Sequence, residues 1–489
     1  MVVRRHLESK RDDERAVPHA ARSWLKSQRG VFAPMSAAFL MLIFTLCAMA
    51  LGLSQMYNRK IELQAVADAV ALAAARELDG TEEGVTRALQ KAATTATRFH
   101  YNYRQPIVWS NDAIKFGNSP TGPFAALGAD GAANLFYASV DTASLGGTAG
   151  TVAPAFVQFV SAASTVEIAA TAVAGRIGVK VVPLAVCALD NQPAKNRSSE
   201  LVEYGFRRGV PYDLMNLNPG GTTKENFVID PIVPPGAGVV AGHNTSLAVV
   251  GPFVCTGKMW MPRVTGGAIH VTRPFPIDPL YQELNSRFDL YPNQRCSPNG
   301  APPDLNVQSF TGSWMSPVQE NTFAAPSGET NKLRTIADPD ILPAAATAAK
   351  WGALWSYSKA VKYGSYQAGK SESQEPKAGY AEFPTTDFDK LYQPGLATSG
   401  YPKALAGGSP YRAWVTFPPT NKVLAEENRR VLNVPLLECP VAAGANVTAR
   451  VLAVGKFFMT EPATTSRLVA EFAGIAPEQS LVDQVELFK

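Results

Sequence analysis

An uncharged, apolar stretch near the N-terminus constrains this chain more than any other feature. No charged residue occurs between Gly30 and Asn58, and most of the stretch reads VFAPMSAAFLMLIFTLCAMALGL. A helix needs about 20 apolar residues to cross a bilayer, whereas the apolar region of a secretory signal peptide has about 7–15. We therefore predict a retained transmembrane helix over residues 30–58, with cleavage at Ala48-Met49-Ala50 as the alternative.

The charges around this stretch predict its orientation. Residues 1–29 contain eight Lys or Arg and four acidic residues, and the rest of the chain is neutral, with 37 of each. Because Lys and Arg stay on the cytoplasmic side of a membrane, we predict that residues 1–29 are a cytoplasmic basic tail and that the large remainder is extracytoplasmic. A nucleic-acid-binding domain is not expected, since such domains concentrate positive charge on a folded face.

The helix is expected to continue beyond the membrane as a stem. No Pro occurs between Pro34 and Pro106, and the segment IELQAVADAVALAAAREL is rich in Ala, the best helix former. We predict one helix over Met35–Leu78, about 66 Å long at 1.5 Å per residue. Its apolar side chains recur every three to four residues on one face, namely Leu63, Val66, Val70, Ala73, Ala74 and Leu78.

Turn and capping residues mark the end of the stem helix and the start of a second helix. Asp79-Gly80 predicts a helix end with Gly in the left-handed conformation. Thr81 predicts an N-cap, because acidic residues follow it in the first turn. The second helix is expected over about 82–99, so residues 59–104 form a stem of two helices.

This N-terminal pattern resembles a known family. Arg29-Gly30, the apolar span and the motif LQAVADAVALAAA at 63–75 are similar to the N-terminal domain of the TadG-like Flp pilus-assembly family. The resemblance implies a bacterial inner-membrane protein of the tight-adherence pilus machinery, with pilus-assembly or pilin-like partners and a large periplasmic domain. The residues that carry the resemblance are Gly30, Leu63, Gln64, Ala67, Asp68, Ala69, Ala71, Leu72 and Ala73.

Two features depart from relatives of this family. Related pilins that prepilin peptidase cleaves have Glu at the fifth position after the cleaved Gly, where this chain has Met35. Some members carry a D-x-S-x-S metal motif, but the corresponding stretch here reads DNQPA at 190–194. We therefore expect neither that cleavage nor metal-dependent adhesion. Asp68 is expected to be a solvated helix residue paired with Arg76.

Residues 105–489 are predicted to be a β-rich extracytoplasmic domain, which gives an α+β fold with the stem. Runs of β-branched and aromatic residues bounded by Gly and Pro are typical of strands. Such runs occur at 166–173, 177–186, 431–437, 450–459 and 468–472. Residues from about 190 to 430 are rich in Pro, Gly, Asn and Ser. They are expected to be a loop-rich insertion with helices at 280–285 and 344–360, and the late strands are expected to return to the early ones.

Four of the five cysteines lie in this exterior domain, at Cys187, Cys255, Cys296 and Cys439. An even number in an oxidising compartment predicts two disulfides, and sequence leaves three pairings open. We favour Cys255–Cys296, which flank a loop-rich stretch, and Cys187–Cys439, because each ends a strand-like run.

No motif in the sequence predicts an enzyme or a bound cofactor. Residues 364–371 satisfy G-x-x-x-x-G-K-[ST], but a phosphate loop needs a strand before it and a helix after it, and neither is predicted. His100, His243 and His270 do not have metal-ligand spacing, and the G-x-S-x-G and H-E-x-x-H motifs do not occur. We expect no cofactor, metal, nucleotide or nucleic-acid partner.

Two hypotheses about function follow. The first is a structural or assembly component of a Flp/Tad-type pilus system that acts by protein–protein contacts. The alternative is a membrane-tethered envelope enzyme or carbohydrate-binding protein that uses the helix only as an anchor. Clustered acids that line a cleft of the exterior domain would favour the alternative. A flat aromatic patch beside the stem helix would favour the first, because Trp and Tyr are enriched in protein interfaces.

Overall fold

The computed structural model describes most of the chain as two units. The described residues are 32–102, 104–126, 131–132, 135–154, 165–217, 224–236, 244–292, 295–310, 324–326, 333–335, 354–366, 375–376, 378–387, 391, 411, 417–442 and 444–488. Side chains are described from Pro34 onward, except at 324–326 and 333–335. Unit 1 comprises Met1–Leu63 and Gly150–Ala169, and unit 2 comprises Gln64–Ala149 and Ala170–Lys489. The basic tail and Gly30 lie outside the described residues.

The described residues contain five α-helices. They are α1 Phe32–Glu77, α2 Glu82–Ala96, α3 Leu247–Thr256, α4 Ile277–Asn285 and α5 Glu478–Leu481. The predicted stem helix is therefore confirmed as α1, and Gly80 has the left-handed φ of 82° expected at its end. The second helix begins where Thr81 predicts, and the Thr81 hydroxyl accepts a hydrogen bond from the amide of Gly84. Of the helix expected at 344–360, residues 344–353 lie outside the described residues, and 354–360 form turns rather than a helix.

Twenty strands are described. In chain order they are β1 His100–Tyr101, β2 Gln105–Pro106, β3 Ile114–Gly117, β4 Tyr137–Asp141, β5 Thr151–Val152, β6 Val166–Glu167, β7 Thr171–Val179, β8 Leu184–Cys187, β9 Lys195–Arg197, β10 Glu200–Glu203, β11 Phe206–Arg207, β12 Pro211–Asp213, β13 Asn226–Ile229, β14 Ala268–Thr272, β15 Ala324–Pro326, β16 Leu333–Thr335, β17 Val431–Leu437, β18 Val447–Met459, β19 Val469–Ile475 and β20 Val482–Phe488. With the helices, they confirm the mixed α+β class.

Unit 1 contains α1 as far as Leu63 and a small hairpin. Strands β5 and β6 pair antiparallel, with Thr151 opposite Glu167. The Thr151 hydroxyl donates to the Glu167 carboxylate at 2.7 Å, and the amide of Ile168 donates to the carbonyl of Gly150 at 2.9 Å. The polar pair thus reinforces a two-stranded ladder that would be weak alone.

Unit 2 contains the end of α1 from Gln64 onward, α2 and a four-stranded antiparallel sheet. The strand order is β20-β7-β4-β3, and the last strand pairs with β7 so that Phe488 lies opposite Val173. Strand β20 was not predicted from the sequence; the expected return of a late strand to an early one is seen in the pairing of β17 with β8. On α1 and α2, the small side chains of Ala71, Ala88 and Ala92 are fully buried, which lets neighbouring backbone approach closely.

A larger sheet of seven strands has the order β12-β19-β18-β14-β13-β8-β17. Strand β17 also pairs with β18, and it pairs in parallel with β8. Strands β8, β13, β14, β18 and β17 consequently form a closed circuit of hydrogen-bonded pairs. A closed circuit leaves none of these five strands with an unpaired edge along its whole length.

Alternating side chains of this sheet join two different hydrophobic clusters. Leu184 and Val186 belong to a cluster that also contains Phe206, whereas Ala185 and Cys187 belong to a second cluster. Because successive side chains of a strand point to opposite faces, β8 is buried on both faces. This explains why its sequence is continuously apolar rather than alternating.

The middle of the chain is not simply an insertion, and this corrects the sequence-based expectation for 190–430. Strands β12, β13 and β14 come from that region and belong to the seven-stranded sheet. Every residue of β13 is buried. The region looked loop-rich because these strands have only three to five residues each and are separated by long Pro- and Gly-rich segments.

Two disulfides lie in unit 2, with the pairing favoured from the sequence. Cys187 is joined to Cys439 with a Cα–Cα distance of 5.7 Å, and Cys255 is joined to Cys296 with a Cα–Cα distance of 5.6 Å. The first ties the end of β8 to the segment that follows β17. The second ties the end of α3 to the segment after α4.

Candidate functional site

The first half of α1 exposes apolar side chains in all directions. In its most apolar 18-residue window the mean hydropathy is 2.3, and only 6% of the window is buried. Within the described residues it is the one helix long and apolar enough to cross a membrane, and its exposure distinguishes it from a core helix. The large exposed side chains are Met35, Phe39, Leu40, Met41, Leu42, Ile43, Phe44, Leu46, Met49, Leu51 and Leu53.

Polar and aromatic residues follow directly after this apolar half. Tyr57 is exposed, and the first charged side chains are Arg59 and Lys60. The guanidinium of Arg59 lies 3.2 Å from the Glu62 carboxylate. An amphipathic ring and long cationic side chains are typical of the level of the lipid headgroups.

Comparison with known protein families finds a match for the segment that forms this helix. The family model described as Flp pilus-assembly TadE/G-like matches residues 30–77. Residues 30–77 are therefore similar to a TadE/G-like domain, and this segment is called the TadE/G-like domain below. Comparisons of the chain with curated proteins and with solved structures found no match. The TadE/G-like domain and its apolar helix support a membrane-anchored component of a pilus system.

The TadE/G-like motif residues lie on two sides of α1. Gln64 donates from Nε2 to the Asp68 carboxylate at 2.7 Å and to the carbonyl of Thr171 on β7 at 3.1 Å. Asp68 therefore pairs with Gln64 rather than with Arg76, which is exposed; Gln64 is one helical turn away, and Arg76 is two. The buried motif residues are Leu63, Ala67 and Ala71, the half-buried ones are Gln64, Asp68, Ala69, Leu72 and Ala73, and Gly30 lies outside the described residues.

The C-terminal end of the TadE/G-like domain is held by a group of polar contacts. The Asp79 carboxylate accepts from the amide of Thr81 at 3.0 Å and from its hydroxyl at 2.6 Å. Arg87 of α2 forms an ion pair with Asp79 and lies 3.8 Å from Glu77. These contacts fix the turn between the two helices, because one carboxylate is shared by the cap residue and by α2.

Two buried arginines, Arg176 and Arg263, lie beyond this group of polar contacts. The guanidinium of Arg176, in the middle of β7, donates to the carbonyl of Leu78 and lies 3.7 Å from the Glu478 carboxylate. The guanidinium of Arg263 lies over the ring of Phe136 at 4.8 Å, and burial lowers its pKa to about 10. Burial also raises the pKa of Glu478, which the nearby Arg176 opposes.

Sequence reasoning missed this polar group. A signal was present in the motif AGRIGV, where a single Arg interrupts an apolar strand. A charge at such a position is costly to bury without a partner, so it indicates a specific contact. The partner could not be read from the sequence, because Leu78 is 98 positions away.

The larger cleft of unit 2 has a volume of about 410 Å³ and a polar lining. Arg287 and Arg429 lie at its wall, where they donate to carbonyls at the C-terminal end of α3. Burial lowers the pKa of Arg287. Two cations at the negative end of a helix are stabilising, so these arginines have a structural explanation without a ligand.

Acids line both clefts. Glu426, Glu427 and Asp483 line the larger one, where Asp483 lies 2.7 Å from Lys258. The smaller cleft has a volume of about 150 Å³. Glu203, Glu375 and Glu478 line it. Arg208 lies 2.7 Å from Glu203 and 3.1 Å from Glu375, and Glu478 accepts from Thr265 at 3.2 Å. Because each carboxylate of the smaller cleft already has a cationic or hydroxyl partner, the arrangement is typical of a structural ion cluster rather than of a general acid–base pair.

The remaining residues considered from the sequence are dispersed. His100 is exposed, His270 is buried, and Gly364 lies in a short 3-10 turn over Tyr363–Ser365. Trp355 is buried, whereas Trp260 is 69% exposed and packs edge-on against Phe253. Outside the described residues lie His243, the rest of the glycine-lysine motif at 367–371, Trp314, Trp351, Tyr392 and Trp414.

Proposed function

We propose that this protein is a structural or assembly component of a Flp/Tad-type pilus system and acts by non-covalent contacts with pilin-like or pilus-assembly proteins. Its single helix would cross the bacterial inner membrane with residues 1–29 in the cytoplasm and the β-rich domain in the periplasm. The orientation follows from the excess of Lys and Arg before the helix.

The observation that carries the proposal is the two-part nature of α1. Its first half is apolar and exposed, and its second half bears the TadE/G-like motif and is hydrogen-bonded to β7 through Gln64. A long helix that is apolar at one end and attached to an antiparallel sheet at the other is the architecture of pilin-like subunits. Such a helix can pack beside others in the membrane while the sheet domain makes contacts outside.

We also propose that the protein is not an enzyme. The arginine partners of the glutamates in the smaller cleft favour this proposal, because a carboxylate fixed in an ion pair is a poor general acid or nucleophile at neutral pH. Of the acids that line the larger cleft, Asp483 likewise has a cationic partner, Lys258.

A deletion strain tests the proposed role. We expect pilin to be lost from the sheared surface fraction while total cellular pilin is retained, and the full chain to restore surface pilin. Leu46→Arg should fail to restore it, because a charge near the centre of a transmembrane helix costs about 2.5–3.5 kcal/mol of insertion free energy. Leu46→Ile is the matched control and should restore it. Normal surface pilin in the deletion strain would remove the assembly role.

A further inference from the structure

An exposed apolar loop of unit 2, residues 417–427, stands out from the rest of the surface; we name it the Val423 loop. Val423 is 97% exposed, and Phe417 and Leu424 of the same loop are also exposed. Exposed Leu290 and Leu305 belong to the two segments that bind the loop. Single exposed apolar residues are ordinary, but these five all belong to one loop and the two segments that bind it, and such a concentration is typical of an interaction site.

Hydrogen bonds hold the Val423 loop in one conformation. The Asp289 carboxylate accepts from the amide of Thr420 at 2.6 Å and from the amide of Asn421 at 3.2 Å. At the other end, the amide of Glu426 donates to the carbonyl of Pro303 at 3.0 Å, and its carbonyl accepts from Leu305 at 3.2 Å. A loop that is already ordered loses little conformational entropy on binding.

The charges beside the apolar tip restrict what can bind there. Glu426 and Glu427 are exposed at one end of the loop, and Lys422 is exposed next to Val423. The net charge of these three exposed side chains is negative. The neighbouring Arg429 is half-buried and donates to the carbonyls of Pro302, Thr256 and Cys255. An anionic membrane surface would repel them, whereas a protein segment that carries Lys or Arg beside apolar residues would be complementary.

We propose that the Val423 loop is a docking site for a segment of a partner protein in which apolar side chains are adjacent to Lys or Arg. Val423 and Leu424 would be the apolar centre of the contact, and Glu426 and Glu427 would lie at its rim and select for the basic residues. This inference concerns unit 2 alone and does not depend on the pilus function proposed above.

Site-specific photocrosslinking in cells tests the inference on the full chain. A benzoylphenylalanine at position 423 is compared with one at Lys195, an exposed residue of β9. We expect a protein conjugate from position 423 only, and mass spectrometry should place the crosslink in an apolar peptide of another protein with Lys or Arg close by. Because Val423 is almost fully exposed, the replacement should leave folding unchanged.

Charge reversal tests whether the two glutamates select for basic residues of the partner. With the crosslinker at position 423, the double variant Glu426→Lys, Glu427→Lys should reduce the yield of conjugate about tenfold, since like charges across an interface are strongly unfavourable. Glu486→Lys, on exposed Glu486 of β20, is the control and should leave the yield unchanged. In the first experiment, the inference is overturned by equal conjugate yields from positions 195 and 423, by no conjugate, or by conjugates only with lipid or with a second copy of this chain. A crosslinked peptide without basic residues would also overturn it. In the second experiment, it is overturned by a conjugate yield that the double charge reversal does not change.

Discussion

Arg176 of β7 donates a hydrogen bond to the carbonyl oxygen of Leu78, the residue directly after α1. The last carbonyls of a helix have no partner within the helix, so this bond satisfies one of them from the sheet. It also joins the end of the TadE/G-like domain to a strand that begins almost a hundred residues later. Together with the hydrogen bond from Gln64 to the carbonyl of Thr171, this buried side chain attaches the helix to the sheet of unit 2.

Replacing Arg176 should destabilise unit 2. In Arg176→Met, the carbonyl of Leu78 loses its donor and Glu478 loses a cation, and breaking a buried pair costs about 3–5 kcal/mol. Urea unfolding of the full chain in detergent micelles, followed by Trp fluorescence, measures the change. Lys195→Met removes the exposed ion pair with Asp190 and should cost less than about 1 kcal/mol. Equal effects of the two substitutions would contradict the structural role of Arg176.

The buried Ala face of the stem should not tolerate larger side chains. Ala67 is fully buried and Ala65, two positions earlier, is exposed. Ala67→Leu should lower the free energy of unfolding by about 1–3 kcal/mol, because extra methylene groups in a close-packed interior force side chains and backbone apart. Ala65→Leu adds the same group on the exposed side and should be nearly neutral. The same urea unfolding assay measures both changes. An unchanged free energy of unfolding in Ala67→Leu would argue against close packing of this face.

Glu471 should make stability depend on pH. It is fully buried on β19, and its carboxylate accepts from the amides of Ser356, Tyr357 and Ser358 at 2.7 to 3.1 Å. Burial raises its pKa from 4.5 to about 7, although these donors oppose the shift. At a pH between these two pKa values, the Glu471 carboxyl group has lost its proton in the unfolded chain but keeps it in the folded chain. The free energy of unfolding should therefore fall as pH rises from about 4.5 to about 7, by about 3 kcal/mol.

Glu471→Gln isolates this contribution, because the amide does not titrate. The difference in unfolding free energy between the natural chain and Glu471→Gln should become smaller as pH rises through this window. Unfolding titrations at several pH values between 4 and 8 give that difference. A difference that stays constant with pH would show that folding leaves the pKa of Glu471 unchanged.

The two disulfides should differ in their contribution to stability. Cys187–Cys439 closes a separation of 252 residues and Cys255–Cys296 one of 41. In the chain-entropy account the longer loop gives the larger stabilisation, about 5 against about 4 kcal/mol. Replacing each pair by Ala in separate double variants, and comparing their urea midpoints, tests this order. A larger loss from the shorter loop would assign the effect to local contacts near α3.

The sequence predicted the elements that are encoded locally. The bounds of α1, the N-cap Thr81 and strand β17 at 431–437 depend on periodicity, capping and β-branched runs, which act over a few residues. The TadE/G-like motif was also recognisable, because its residues follow one another along a single helix.

The sequence could not predict features that depend on distant pairing. Strand β13 has four residues, NFVI, and is recognisable only because β8 and β14 lie on either side of it. Strand β20 contains three polar residues among seven, so its pattern is weak until β7 is known to pair with it. The polar contacts of Arg176 and the Val423 loop depend in the same way on segments far apart in the chain.

The pairing of β7 with β20 has a consequence for biosynthesis. Residues 173–179 leave the ribosome about 300 residues before their partners at 482–488, and at about 5–20 residues per second this takes at least some 15 s. Throughout that interval one edge of β7 has no strand to pair with, and an unpaired edge is a template for aggregation. Until its last strand has emerged, a nascent chain of this protein therefore carries a strand edge that is open to pairing with another chain.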